Sequence, residues 1–325
     1  MTSARMAHRT NGWTKRRSSR ASSRIFAALS AVFLVVGFAI IASPFVLRAI
    51  SASRQQQTVR QSEQTVAGWP YPKAEEAIKA ARAYNRRLAA SGQTTIGEVA
   101  DPFASDAGAS SASDAGTSMA ANDREYQSLL DTGQGVMGSI RIPEIGVNLP
   151  IYHGASDDAL AAGAGHLYGT SLPVGGAGTH AVITGHRGLP GSLLFTRLDE
   201  LREGDAFYID VMGKTLGYKI DRISVIEPND ASALRITPGQ DRVTLMTCTP
   251  YGVNSHRLLV SGVRASIPGE VPEPNSIHAF DTTLAALVGL GTAFTVVVTC
   301  VAVGWRRRRK AAVGGGRGRD RRRRE

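Results

Sequence analysis

Two apolar stretches of membrane length constrain this chain more than anything else in it. Residues 25–47 carry no charge. At 1.5 Å per residue they reach across a hydrocarbon core of about 30 Å. Residues 284–303 form a second run, interrupted only by small or weakly polar residues such as Gly289, Thr292 and Cys300. Each run is bounded on its outer side by a basic cluster. The first 24 residues hold seven Lys/Arg and no acid, and from Arg306 onward eleven Lys/Arg face Asp320 and Glu325. The two ends together carry +16 of a net charge of +11, so the remainder is −5. A folded nucleic-acid-binding domain would place its basic charge on the core. Here the charge is terminal, and no nucleic acid is expected as a partner. Basic flanks on the outer ends put both termini in the cytoplasm and the region between the runs outside the membrane. Membrane lipid is then a partner, through two spans and two basic tails. A cleavable signal peptide is the rival for the first run, but the apolar stretch is too long for an h-region and continues into Pro44-Phe45.

Cysteine usage acquires meaning in that setting. The chain has two cysteines. Cys300 lies in the second apolar run, as a small hydrophobe. Cys248 is therefore the lone thiol of the exported part, in a compartment where cysteines are usually paired or avoided. It closes the β-branched run Val243–Thr247. Pro250, Gly252 and Asn254 then break the chain, and Leu258–Val263 resumes an apolar run. Two antiparallel strands joined in this way bring Cys248 beside Arg257, about 5–8 Å apart at one rim of a sheet. A thiol with a fixed positive charge next to it is a candidate nucleophile.

Short β segments fill the region around that pair. Val136–Ile142, Val147–Tyr152, Thr179–Gly185, Ala206–Val211, Leu216–Ile226, Val243–Thr247 and Leu259–Arg264 read as strands between glycine-rich turns. Asp157–Ala162 and Ser192–Leu201 read as short helices, and Asn122–Leu130 as another with Asn122 as N-cap and a capping-box Glu125. Seven or eight strands with few helices predict a closed β-barrel or sandwich. Upstream, Lys73–Ala90 is helical, with Ile78, Ala81 and Leu88 on one side. Residues 104–121 are almost wholly Ala, Ser, Gly, Asp and Thr, too poor in apolar area to order themselves.

The boundaries that follow are a basic arm at 1–24 and an anchor at 25–47. A juxtamembrane linker and helix occupy 48–92, a loop 93–121 and the catalytic β-domain 122–266. A stalk at 267–282 leads to a second transmembrane helix at 283–304 and a basic tail at 305–325.

A thiol nucleophile needs a proton partner. His153, His166, His180, His186, His256 and His278 lie outside the spans. His278 is in the stalk, and strand alternation turns His256 away from the face of Arg257. His186 ends a strand in the glycine-bounded turn Thr184-Gly-His-Arg-Gly188 and leads, with His180 next. No histidine pair has zinc spacing and there is no CxxC, so neither a metal nor a cofactor is expected. Asp157-Asp158 reads as solvated charge.

Several stretches together resemble the sortases, cysteine transpeptidases of Gram-positive cell surfaces. Thr244-Leu-Met-Thr-Cys248 through Arg257 is similar to their signature. Gly138–Gly146, Leu149–Gly154, Gly165–Gly175 and Thr179–Pro190 are similar to class C, the pilin-polymerising branch, and the likeness covers roughly residues 73–266. It implies a closed eight-stranded sortase-type barrel with short helices, an N-terminal helix and a lid loop, flanked by the two transmembrane helices. It implies Cys248 as nucleophile, His186 as general acid/base and Arg257 as the group holding the substrate carbonyl or oxyanion. The substrates implied are pilin subunits with LPXTG-like sorting signals, cleaved between Thr and Gly and joined to an acceptor lysine. Asp101-Pro102-Phe103 resembles the class C lid motif, which would pair Asp101 with a cation such as Arg257 and lay Phe103 over Cys248. A housekeeping sortase acting on a peptidoglycan precursor is the alternative enzyme. A non-catalytic surface scaffold is the alternative of another kind, and it predicts that Cys248 is dispensable.

Overall fold

The computed structural model of the protein describes residues 14–96 and 119–267, with positions 271, 272, 289, 291, 292 and 294. Asp101, Phe103 and the low-complexity tract lie outside the described residues, as do nearly all of the second apolar run and the tail after it. The chain divides into two compact units, residues 1–45 with 283–325 and residues 46–282.

Residues 14–45 of the first unit belong to one long helix, α1 (Thr14–Ala67), which continues through Pro44. Val32, Phe33, Val35, Val36, Ile40 and Ile41 are all exposed on it. Apolar side chains pointing outward over most of the helix surface suit a hydrocarbon solvent and not a protein core. Among the described residues this is the one helix long and apolar enough to cross a membrane.

The second unit is a closed barrel of eight strands: β1 (Val136–Ile142), β2 (Val147–His153), β3 (Ala164–His166), β4 (Thr179–Thr184), β5 (Ala206–Val211), β6 (Lys214–Ile226), β7 (Asp241–Thr249) and β8 (His256–Ala265). Around the barrel they run β1-β2-β3-β4-β7-β8-β6-β5 and close on β1. The pairs β2–β3 and β4–β7 are parallel and the rest antiparallel. The interior is filled by alternate residues, among them Ile140, Ile151, Phe207, Tyr218, Leu245 and Val260. On the other face of β4, β7 and β8 a second apolar cluster forms from Val182, Met246, Leu259, Leu160, Leu167 and Cys248. Strands covered on both faces read as continuous apolar runs. That explains why Arg242–Cys248 is buried at every position.

Helix α2 (Lys73–Ala90) buries Ile78, Ala81 and Asn85. Asn85 is bound in both directions to the backbone of Leu172, at 2.9 and 2.7 Å. The expected helix over Asn122–Leu130 is instead two short ones, α3 (Met119–Asn122) and α4 (Arg124–Ser128). The cap is Asp123, whose carboxylate accepts from the Tyr126 amide at 2.9 Å. Asn122 ends α3, and Asp123 has the extended backbone and side-chain acceptor that a cap for α4 needs. Helix α5 (Asp157–Ala162) starts from the Ser156 side chain, with Asp157 and Asp158 in its first turn, where acids complement the exposed amides. The helix expected over Ser192–Leu201 is reduced to one 3-10 turn, Leu198–Glu200. Leu194, Phe195 and Leu198 are instead driven into the core. Strand β3 was too short to show a period in the sequence.

Candidate active site

Backbone register brings three elements to one rim. In the β7–β8 ladder, Cys248 pairs with Arg257 and Thr249 with His256. Directly opposed residues in such a ladder have Cα atoms about 4.5–5.5 Å apart. In the parallel β4–β7 ladder, Thr184 pairs with Met246. The contact continues past the end of β4. The Gly185 amide donates to the Met246 carbonyl at 3.1 Å, and the Thr247 hydroxyl donates to the Gly185 carbonyl at 2.7 Å. One residue further on come His186 and Cys248. The thiol strand therefore has the histidine segment on one side and the arginine strand on the other.

Period-2 alternation sets which side chains share the face. Thr244, Met246 and Cys248 stand on one side of β7, matched by Thr184 and His186 and by Arg257, Leu259 and Ser261. The set is buried: Cys248 is 0% exposed, Arg257 1% and His186 7%. Arg257 Nη1 donates to the carbonyls of Asn254 at 3.0 Å and His256 at 2.9 Å, so the guanidinium is braced by the loop that joins its strand to that of Cys248. Burial of a guanidinium is tolerated when its donors are satisfied. His256 is exposed and bonded to Ser255, on the opposite face as alternation requires.

Local chemistry shapes the turn that carries His186. A Cβ on Gly185 would lie 2.9 Å from the Phe195 ring. Gly188 has φ +82 and a Cβ there would lie 2.9 Å from Tyr251. Both positions need glycine for the turn to close. Between them, Arg187 ties the site together. It donates to Thr249 Oγ1 at 3.1 Å and to Asp199 at 2.5 Å, and its guanidinium lies 5.9 Å from the Tyr251 ring. Sequence reasoning gave Arg187 no role; only the folded loops bring its partners within reach.

His180, the second candidate base, is placed elsewhere. It lies six residues back along the same face as His186. Its Nδ1 donates to the Arg235 carbonyl at 2.9 Å and its Nε2 accepts from Thr244 Oγ1 at 2.7 Å. Burial lowers its pKa to about 4, with Arg242 and Arg222 adding to the effect. Such a group stays neutral and structural. His166 is likewise lowered to about 4 by complete burial. It accepts from Tyr126 Oη at 2.8 Å and donates to the Ser171 carbonyl at 2.8 Å. His153 has both ring nitrogens against carbonyl oxygens, Gly135 at 2.9 Å and Leu129 at 2.7 Å. These two, with Tyr126, form a buried knot under the α4 segment. Among the described residues no cluster of His, Cys, Asp and Glu could hold a metal. A thiol, an imidazole and a braced guanidinium on one face suit acyl transfer.

Comparison with known proteins agrees with that chemistry. The Sortase domain family model matches residues 140–265. Sortase A of Streptococcus agalactiae is 35% identical over 117 residues, 35% of this chain and 47% of that protein. Sortase SrtE1 of Streptomyces coelicolor is 30% identical over 156 residues, 44% of each. The chain thus spans about half the length of the curated relatives it matches. Solved structures cover more. Sortase C1 of GBS Pilus Island 1 is 37% identical with a TM-score of 0.57, over 67% of this chain and 95% of that one. Sortase C-1 from Actinomyces oris is 42% identical with a TM-score of 0.52, over 60% and 99%. With the barrel, the register of Cys248 against Arg257 and these likenesses together, the chain belongs to the sortase family of cysteine transpeptidases, in its class C branch.

Proposed function

We propose that this protein is a membrane-anchored transpeptidase that cleaves LPXTG-like sorting signals between Thr and Gly and transfers the acyl group to a lysine of a pilin subunit. The observation that carries the reading is the placing of Cys248 between the His186 segment and Arg257 on one buried face.

In this reading the Cys248 sulfur attacks the threonine carbonyl. His186 gives its proton to the departing glycine amine, and a thioester remains on Cys248. An amine then attacks the thioester, His186 takes up the proton lost by that amine, and the thiolate leaves. A covalent intermediate divides one difficult step into two. Arg257 faces the oxygen on which negative charge grows. A pre-aimed donor of this kind contributes roughly 10²–10³ in rate. Its planar fork can brace the loop through one nitrogen and face the substrate with another, which a lysine cannot.

A pilin lysine is favoured as the acceptor over a peptidoglycan precursor because of the neighbours. The solved structures similar over nearly their whole length are class C enzymes, and one of them is named for a pilus island. Anchoring is supported by the exposed apolar surface of α1. A second span over residues 283–304 is supported by its sequence and by the Phe38 ring lying 5.1 Å from that of Phe294. Both termini then lie in the cytoplasm and the barrel outside.

The test is mass spectrometry of the protein mixed with an LPXTG peptide, with Cys248→Ala alongside. An adduct of the peptide ending at Thr, present only with Cys248, is the expected result. A lysine-bearing pilin domain should then remove it by forming an isopeptide. An adduct that resists pilin lysine and yields to a peptidoglycan-stem amine would assign the housekeeping role instead. No adduct from folded protein would reopen the scaffold reading.

A further inference from the structure

A cavity of the 46–282 unit lies where α1 crosses the outside of β1 and β2, beside Leu193 and Leu194. A membrane-proximal helix packed on a barrel would ordinarily present an apolar face. Here Ala52 and Val59 meet Val147 and Leu149, and polar side chains flank them. Arg48, Gln56, Arg60 and Glu63, on one side of the helix, meet Arg141 and Asn148 of the barrel around a cavity of about 360 Å³. That size is within the range of small-ligand sites.

Charge is distributed unevenly along it. At the inner end Arg141 holds Asp210 through two bonds, at 2.7 and 3.0 Å. Arg60 and Arg141 also act on the Glu63 carboxyl, whose pKa burial and Asp210 raise. Two guanidinium groups therefore face two carboxyl groups there, and the inner end is close to neutral. Arg48 at the outer end has no such complement: the ion pairs among the described residues do not include it. It follows directly on Leu47, the last residue of the apolar run. Asn148 at the inner end has an Oδ1 with no hydrogen-bond partner. Arg48 and Arg60 are twelve residues apart, about 18 Å along the helix. A bare phosphate at Arg48 leaves the rest of the cavity unfilled, and a phosphodiester with a hydroxyl-rich extension reaches further into it.

We propose that this cavity binds the headgroup of an anionic lipid in the leaflet from which the barrel emerges. The phosphodiester sits at Arg48, and headgroup hydroxyls run inward past Gln56 towards Asn148. One uncompensated positive charge meets the single negative charge of the phosphodiester. Arginine at the edge of a span is suited to that contact. The site rests on the reading of α1 as an anchor.

The experiment uses the full chain in lipid nanodiscs. Phosphatidylcholine alone is compared with phosphatidylcholine containing phosphatidylinositol (a phosphodiester bearing a polyol) or phosphatidylserine (the same net charge without the polyol). Backbone hydrogen exchange is read over residues 48–63 and 141–149, away from the basic tails. Phosphatidylinositol should slow exchange there by about tenfold, the factor for a ligand at roughly ten times its dissociation constant. Arg48→Gln and, separately, Asn148→Ala should each remove most of that effect while exchange in β7 and β8 stays unchanged. Equal protection by phosphatidylserine would overturn the headgroup assignment. Equal protection by soluble inositol phosphate would overturn the lipid as its source. Undiminished protection in both variants would overturn the site. A chain that does not enter the discs would overturn the anchor and the site together.

Discussion

Replacing Arg257 by Gln tests the proposed chemistry most directly, because its two consequences are separable. Arg257 is 1% exposed and directly opposes Cys248. Its Nη1 also donates to the carbonyls of Asn254 and His256. Loss of a charged donor aimed at the oxyanion should cost about 2.7–4 kcal/mol in the barrier, or 10²–10³ in rate. Because that charge develops only during reaction, the loss should fall on kcat with KM little changed. Loss of the brace should separately destabilise the fold by about 1–3 kcal/mol, since two carbonyls lose their donor. The assay is single-turnover formation of the Cys248 thioester, by quenched mass spectrometry, with urea unfolding of the same samples. Arg257→Lys should keep the charge, lose the shared geometry and recover only part of the rate. Acylation by folded Arg257→Gln within about threefold of the wild type would refute the electrostatic role and leave Arg257 as a structural brace.

Three further outcomes are expected. Tyr126→Phe should destabilise the barrel by about 2–4 kcal/mol, because Tyr126 Oη accepts from the Gly154 amide at 2.9 Å and bonds His166 Nδ1 at 2.8 Å, both buried; a change in unfolding free energy below about 0.5 kcal/mol would count against it. His166 and His180 have folded pKa values of about 4 against an unfolded 6.5, so the unfolded chain binds their protons first and stability should fall as pH drops from about 6.5 towards 4. Between pH 7.5 and 5 the two should account for roughly 3–4 kcal/mol, seen as a lower urea midpoint, and a flat midpoint over that range would refute the assignment. Deleting residues 99–121 should raise peptide cleavage if Asp101 and Phe103 restrain the free enzyme, and unchanged or lower cleavage would remove the lid from the account.

The linear pattern was legible where chemistry is local. Strand β4 ends within one residue of its sequence expectation because β-branched residues run up to a glycine. Strand β7 shows its β-branched core Val243–Thr247 in the sequence, and its burial from Arg242 to Cys248 comes from cover on both faces. The pairing of Cys248 with Arg257 follows from a short loop between two runs. Where several weak signals compete, position in the chain decided less. Ser192–Leu201 has helical spacing, but its apolar residues are worth more in the core than in a helix exposed on the surface. Asn122 and Asp123 are both good caps, and Asp123 prevails because its carboxylate reaches the Tyr126 amide.

By itself the sequence determined the two apolar runs, the terminal location of the basic charge, the single cysteine between the runs and the strand that carries it. These depend on composition and on periods of a few residues. Tertiary structure alone decided that His186 and not His180 stands level with Cys248. Both histidines occupy the same face of one segment, and only the parallel register of β4 on β7 distinguishes the end beside the thiol from the end sealed by Arg235 and Thr244. It also decided that α1 meets β2 through Ala52 and Val59 with Arg48, Arg60 and Glu63 around a cavity, since no local pattern shows which face of a helix a distant sheet will cover. Contacts between residues a hundred positions apart are set by how the closed barrel packs, and a linear pattern holds no record of them.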